Sequence, residues 1–367
     1  MAGSNKNVIV LGAGGSGGHI FPAQALADEL ARRGYETVLI TDDRGRAYTD
    51  KFPSTRMEIV RAATFAGRNP FKRLQAAFQI LGGIWRAWRI LGEVKPKVAV
   101  GFGGYSSFPT MVAAKLRRVP TALHDPNAVL GRVNKLLAGH VDLIGAAFEN
   151  MQGLSPAAAK RVHLVGNPLR DEVIAAREVP YIPPGDDGPI KLLVFGGSQG
   201  AAVFADLVTK AVEQLPEVMK ARLQVSLQAR ADVATEVERE FDEMGVRADI
   251  APFFADLPQR MAEAHLVIGR AGASTVTELG VIGRPAILVP LPIAMDDHQT
   301  VNARTLTEPG GAWLMPQSEL TAETLADKLR SLLCDGNRLS QAAAAARKTG
   351  RPFATADFAT LIEGLIE

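Results

Sequence analysis

Short runs of Val, Ile and Leu recur along the chain, each followed by glycines and then by apolar residues at helical spacing. This is the pattern of a parallel sheet with crossover helices, whose strands are covered on both faces and so read as continuous apolar runs. In the first half it predicts strands at Val8 to Leu11, Glu36 to Thr41, Val98 to Gly101, Thr121 to His124 and Leu143 to Ala146. In the second half it predicts Lys191 to Phe195, Gln224 to Leu227, Ala248 to Ala251, Leu266 to Ile268 and Ala286 to Val289. The similar spacing implies two α/β domains of one architecture, and 367 residues leave room for both. Between them, VPYIPPGDDGP (179–189) carries four prolines and reads as a linker.

The glycines sharpen the picture, because many of the 35 fall in clumps. GAGGSGGH (12–19) separates the opening strand from a helix at about Ile20 to Arg33, with Gly34 as its stop signal. Within it Gly12, Gly14 and Gly17 fit the dinucleotide-binding spacing, with Asp42 or Asp43 as a ribose-binding acid. Alone, that loop is read equally well as the site of an NAD-dependent oxidoreductase. GFGGYSSFP (101–109), GGSQG (196–200) and GRAGASTVTE (269–278) also follow strands. A single-cofactor dehydrogenase needs one such loop, whereas both halves present them here.

In the fourth clump, Ala273 to Thr277 form a first helical turn, whose free N–H groups and positive dipole end suit a diphosphate. Ser274 and Thr275 add hydroxyls, and Glu278 suits the paired hydroxyls of a ribose; its other reading is a partner for Arg284. Asp-x-Asp occurs nowhere, and Asp296 and Asp297 have no partner at metal-ligand spacing, so no metal and no cofactor are expected.

Charge and cysteine content narrow the classes further. The formal net charge is +2 and Cys334 is the only cysteine, which argues against a nucleic-acid-binding protein and a disulfide framework. No secretory leader and no membrane-spanning run are expected. The +2 averages over residues 66–100, where Arg68, Lys72, Arg73, Arg86, Arg89, Lys95 and Lys97 face a single acid, Glu93, and are interleaved with Phe71, Phe78, Ile84, Trp85 and Trp88. Basic and interfacial aromatic residues together suit an anionic membrane surface; the same apolar residues also suit a helix core.

Taken in order, GGSGGH (14–19), GGYSS (103–107), HDPN (124–127), GNPLR (166–170), GGSQG (196–200), AGASTVTE (271–278) and DHQTVNA (297–303) resemble the MurG family, the peripheral glycosyltransferases that convert lipid I to lipid II in peptidoglycan synthesis. The resemblance spans nearly the whole chain. It implies a GT-B fold of two Rossmann-like domains facing a cleft, with a last helix at about Ala354 to Ile366 returning to the first domain. The boundaries become 1–165 plus 351–367 and 166–350, with the linker at about 166–189.

The resemblance also implies roles. UDP-N-acetylglucosamine would be held by Glu278 at the ribose, by Ala273, Ser274, Thr275, Val276, Thr277 and Ser198 at the diphosphate, and by Phe254 beside the uracil. Gln299 would contact the sugar hydroxyls, with Asn127 and Arg170 at further donor positions and Ser16, Gly17 and Gly18 closing from the first domain. His19 is the candidate base, and its imidazole, titrating near 6.5 when unperturbed, can accept the proton of an attacking hydroxyl. Tyr105 and His124 would line the side of the acceptor, undecaprenyl-linked lipid I, at the cytoplasmic face of the bacterial plasma membrane. Ser16 stands where the family usually has Thr, HDPN replaces His-Glu-Gln-Asn, and some members have Gln at the position of His298. The remaining alternatives are a GT-B enzyme with another acceptor, a nucleotide-sugar epimerase, and a binding protein without catalysis.

Overall fold

The computed structural model describes residues 7–14, 17–52, 55–61 and 70–366, with side chains described at all of these except 47–49, 51, 70–73 and 197–202. The chain divides into two compact units, residues 1–170 with 352–367, and residues 171–351.

The first unit is a seven-stranded sheet built from β1 (Val8–Gly12), β2 (Glu36–Thr41), β3 (Arg56–Ile59), β4 (Val98–Gly101), β5 (Thr121–Asp125), β6 (Leu143–Ala146) and β7 (Val162–Leu164). Its order is β3-β2-β1-β4-β5-β6-β7 and every pairing is parallel. The apolar runs are buried because helices cover both faces: α1 (Gly17–Arg32) and the last helix, Ala354–Glu363, lie over one, while α2 (Pro70–Val94) and α3 (Ser107–Leu116) lie over the other. Gly34, at φ +87°, ends α1 in the left-handed conformation that glycine adopts without steric cost. Next to it, Arg33 donates to Glu363 (2.6 Å), Thr360 (3.0 Å) and the carbonyl of Ala356 (2.9 Å), fastening the last helix to α1.

The second unit is a six-stranded parallel sheet of β8 (Ile190–Phe195), β9 (Leu223–Gln228), β10 (Arg247–Ala251), β11 (Leu266–Gly269), β12 (Ala286–Leu288) and β13 (Ala312–Leu314), in the order β10-β9-β8-β11-β12-β13. All ten expected strands are present. β3, β7 and β13 were not expected.

The chain enters the second unit at Asp171, upstream of the proline-rich stretch expected to be the linker. That stretch belongs to the second unit because a buried arginine ties it there. Arg284, 1% exposed, donates to the carbonyls of Ala262 (2.7 Å), Gly283 (3.0 Å) and Val179 (2.9 Å), and its guanidinium faces the Tyr181 ring at 5.4 Å. Burial lowers its pKa to about 10, with its charge still present at neutral pH.

Candidate functional site

In both sheets the strand order reverses beside the first strand, between β1 and β4 and between β8 and β11. Crevices outside the carboxyl ends of strands at such reversals are where open α/β sheets bind ligands. All four glycine clumps follow one of these four strands.

At the first reversal, Gly17 and Gly18 open α1 and carry His19 one residue later. The imidazole lies against the turn after β4. Gly103 and Gly104 have φ of +82° and +72°, and a Cβ on either would come within 3.4 Å of the His19 ring. Two consecutive left-handed residues without side chains are thus what lets the ring sit there. Tyr105 follows, half-buried against the core. Ser16 lies outside the described residues.

Below this loop is a buried polar cluster. His124 exposes no surface: its ring packs 5.6 Å from that of Phe102 and 5.3 Å from that of Phe358, with Nε2 at 3.0 Å from the Gly166 carbonyl. Burial, reinforced by the His19 charge, lowers its pKa to about 4 despite the Gly166 contact. It is therefore neutral at physiological pH. The expectation that His124 lines the acceptor surface is corrected: the ring is enclosed in the core beneath that surface. Asp125, 2% exposed, accepts from the N–H groups of Asn127 (3.0 Å) and Gly131 (2.8 Å) and from Asn134 Nδ2 (3.0 Å). Burial raises its pKa against those three donors and against the charge of His19. Asn134 also donates to the His124 carbonyl at 3.1 Å. The carboxylate shapes the 126–131 loop, and Asn127 sits half-buried on it.

Asp42, the ribose acid of the dinucleotide reading, is committed internally. It accepts from Arg44 (2.7 Å), Ser106 Oγ (2.8 Å) and the Gly45 N–H (3.2 Å). Burial works to raise its pKa, but these donors hold it below the ordinary carboxylate value. Arg170, at the end of the first unit, lays its guanidinium over the Phe21 ring of α1 at 4.6 Å.

The second reversal is chemically different. Gly196 precedes the helix Gly197–Glu213, which contains Ser198; the side chain of Ser198 lies outside those described. Gly272, extended at φ −62° and ψ 148°, precedes the helix Ala273–Ile282 and provides no capping side chain, so the first-turn N–H groups stay available. Ser274 Oγ is buried and has no hydrogen-bond partner among the described residues. Thr275 is half-buried and Val276 is buried in this turn. The Thr277 hydroxyl is turned back to the carbonyls of Ala273 (2.8 Å) and Ser274 (3.0 Å). Glu278 is buried at 8% exposure, and Arg284, its alternative partner by spacing, is engaged with backbone carbonyls.

Two groups hold the facing 289–291 segment. Buried Arg270 donates to the carbonyls of Val289 (3.3 Å) and Pro290 (3.2 Å), and Gln299 Oε1 accepts the Leu291 N–H at 3.0 Å, leaving its amide NH₂ as a donor. Phe254 is buried beneath Arg260, whose guanidinium lies 4.2 Å from the ring centre. Among the described residues no cluster of His, Cys, Asp or Glu could hold a metal ion.

Sequence reasoning did not foresee the parts of Asn134 and Arg270. An Asp before Pro signals a turn whose carboxylate caps nearby N–H groups, so Asp125 was accessible to it; Asn134 lies on a later helix and carries no such signal.

The N-terminal domain model of glycosyltransferase family 28 matches residues 9–145, and its C-terminal domain model matches residues 191–359. A curated relative from Paramagnetospirillum magneticum, named UDP-N-acetylglucosamine--N-acetylmuramyl-(pentapeptide) pyrophosphoryl-undecaprenol N-acetylglucosamine transferase, is 46% identical over 99% of this chain and 98% of its own. One of the same name from Rhodospirillum centenum is 48% identical over 97% and 94%. The crystal structure of Acinetobacter baumannii MurG is similar with a TM-score of 0.79 at 29% identity, covering 98% and 99% of the two chains. The glycosyltransferase of kitacinnamycin, at 16% identity and a TM-score of 0.73, shares the fold. With both of its halves matched and full-length relatives of this identity, the chain belongs to glycosyltransferase family 28 and, within it, to the MurG family.

Proposed function

We infer that the protein transfers N-acetylglucosamine from UDP-N-acetylglucosamine to the muramyl sugar of lipid I, giving lipid II for the cell wall. The observation that carries this reading is the pairing of two differently equipped strand-order reversals within a chain whose full-length relatives bear that activity in their name. A donor diphosphate fits the uncapped helix N-terminus at Ala273 and the unpartnered Ser274 hydroxyl, while the carboxylate of Glu278 suits the ribose. Gln299 offers its amide to the sugar hydroxyls, and Ser198, Phe254, Asn127 and Arg170 complete the donor set.

The reaction we propose is a single displacement with inversion. The acceptor 4-hydroxyl attacks the anomeric carbon, His19 accepts the hydroxyl proton, and the C1–O bond to UDP breaks as the electron pair leaves with the diphosphate. The helix end stabilises the negative charge that accumulates there. Neutral His124 and hydrogen-bonded Asp125 fix the floor under His19 and take no proton in the step. The deciding measurement is turnover of a lipid I analogue with UDP-N-acetylglucosamine. No product with that pair, or a melting shift on adding NAD in place of the donor, would overturn the assignment.

The acceptor is amphiphilic, so the enzyme meets it at a membrane, on the cytoplasmic face where a nucleotide-sugar donor is present. No helix among the described residues is long and apolar enough to cross one, and we assign contact to the outer face of α2. There Phe78 is 67% exposed and Trp85 63%, beside Arg86 and Arg89. Neutralising Lys72, Arg73, Arg86 and Arg89 together should reduce binding to anionic liposomes, each charge contributing about 1 kcal/mol; unchanged partitioning would remove this surface.

A further inference from the structure

The helix Ala273–Ile282, whose first turn faces the second strand-order reversal, ends on a glycine. Gly283, at φ +77°, closes it in the left-handed conformation, its N–H donating to the Leu279 carbonyl at 2.8 Å. The carbonyls of the last turn have no further partners within the helix and form the negative end of its dipole. The sequence of the helix supplies nothing to meet them, since its last turn holds no basic residue.

Three arginines from outside the helix meet them instead. Arg177, just after the short helix Asp171–Ala176, donates to the Val281 carbonyl. Arg284 donates to the carbonyls of Ile282 (3.2 Å) and Gly283 (3.0 Å). Arg347, in the last turn of the helix Gly336–Thr349, donates to the carbonyls of Ile282 (3.5 Å) and Arg177 (2.8 Å). Glycines allow this approach: a Cβ on Gly283 would meet Arg347 Cβ at 2.8 Å, and one on Gly280 would meet the Thr349 hydroxyl at 2.8 Å. The three like charges are poorly compensated. Burial, reinforced by Arg347, lowers the pKa of Arg177, and the acid that opposes this is the exposed Glu178. Burial also lowers that of Arg284 to about 10, with Arg347 acting in the same direction and Tyr181 against it. A helix C-terminus carries roughly half a unit of negative charge, which a single guanidinium already offsets. The cluster therefore holds positive charge beyond what the helix end requires.

We propose that Arg177, Arg284 and Arg347 form a remote cationic cluster that raises the positive potential at the opposite end of the helix, strengthening the hold on the donor diphosphate and favouring its departure as UDP. The inference rests on the donor reading above. Ten residues at 1.5 Å each make the helix roughly 15 Å long. Over that distance charges in the interior still interact, because water and salt screen them less than they do at a surface. The helix dipole and the cluster act in the same direction, since the arginines offset its negative end and leave the positive one unopposed. The effect is larger on the leaving group than on the donor: when the C1–O bond breaks, the departing oxygen gains a negative charge, and the same potential stabilises it further. The arginines touch the helix and act through it, so they are electrostatic supports and not catalytic residues.

The test compares ligands of different charge in the full-length protein. Arg177→Met and Arg347→Met keep the apolar stem and remove the charge, whereas Arg347→Lys keeps the charge. Arg284 is left in place, because its loss would also free the 179–180 segment that it holds. Affinities for UDP, UDP-N-acetylglucosamine and uridine are read at pH 8 by displacement of a fluorescent UDP derivative. Each Met variant should weaken UDP about tenfold and UDP-N-acetylglucosamine about fivefold, as expected for a unit charge acting on a diphosphate across the helix at an effective dielectric constant between those of water and the interior. Uridine, which has no charge, should bind as it does to the wild type. In turnover, kcat should fall about twofold in the Met variants, reflecting the extra charge on the leaving group. Arg347→Lys should match the wild type throughout. A helix end that was merely loosened would weaken charged and uncharged ligands alike. Equal losses for uridine and UDP, unchanged UDP affinity in both Met variants, or a loss in Arg347→Lys as large as in Arg347→Met would each overturn the cluster. Wild-type binding and turnover, measured in parallel, separate the two claims: a wild type that turns over lipid I with variants indifferent to ligand charge overturns the cluster alone, and a wild type that binds no uridine nucleotide overturns the donor reading itself.

Discussion

The two strand-order reversals share a topology and differ in almost everything placed on it. The first presents a titratable imidazole against two left-handed glycines, with a neutral histidine and a hydrogen-bonded carboxylate sealed below. The second presents an uncapped helix end, a buried serine hydroxyl with no partner among the described residues, and an arginine and a glutamine that hold the neighbouring segment. In the reaction proposed above, one region would move a proton and the other would receive negative charge. The parallel sheet supplies the crevice twice, and the residue types just beyond the strands decide what each does.

That division of labour can be broken at either end. The largest effect belongs to His19: in His19→Ala, turnover should fall by about 10² to 10⁴ with donor affinity kept, because general-base help is of that size. A loss under tenfold would remove the proton-moving role from the first region. Next is the floor beneath it. His124 is held near a pKa of 4 in the native state, against 6.5 for an unperturbed imidazole. Between those values the unfolded chain takes up a proton that the native one refuses, so stability should fall as pH drops from 6.5 toward 4. The loss is on the order of 3 kcal/mol by linkage. Urea midpoints measured over that window should slope less in His124→Leu, and an unchanged slope would deny that the buried ring is neutral.

In the second region, Glu278→Gln should raise the donor KM roughly 10- to 100-fold, the worth of one or two hydrogen bonds to a charged group, while kcat stays within a few-fold. A loss in kcat with KM intact would instead give Glu278 a part in the chemistry. The smallest effect is that of Ser274→Ala, about fivefold weaker UDP binding from one neutral hydrogen bond, read by calorimetry. No change would remove the Ser274 hydroxyl from the diphosphate contacts.

What the sequence revealed of the fold follows burial. The ten strands visible as apolar runs include every interior strand of both sheets, whereas the three missed are all at edges. β3 reads RMEI and β7 reads VHL, and each is only partly buried because nothing pairs with its outer side. β13, AWL, has only its first residue buried. An edge strand has no need of a continuous apolar run, so it leaves little trace for pattern reading. The glycine loops of the candidate site were legible for a related reason: at strand ends they are constrained by the backbone, and their positions show in any sequence. Side chains that act by reaching across the fold do not show. Asn134 meets Asp125 from nine residues away, and Arg270 meets Pro290 from twenty. The proline-rich stretch misled because composition reports stiffness and polarity but not the arginine that captures it.

The fastening of the last helix by Arg33 has a consequence for the order of folding. Phe358, Ala359 and Ile362 belong to the same core as Val100, Phe102 and Leu143, although more than two hundred residues separate them along the chain. Domains generally fold in the order in which the ribosome releases them. Here the unit that begins the chain waits for its final helix, while the second unit, continuous from Asp171 to Arg351, is complete before that helix has been made. During synthesis the apolar face awaiting Phe358 stands open for most of the chain's length. Late truncations should therefore damage the first half of the protein and spare the half beside the cut, a pattern that limited proteolysis of nested chains would display.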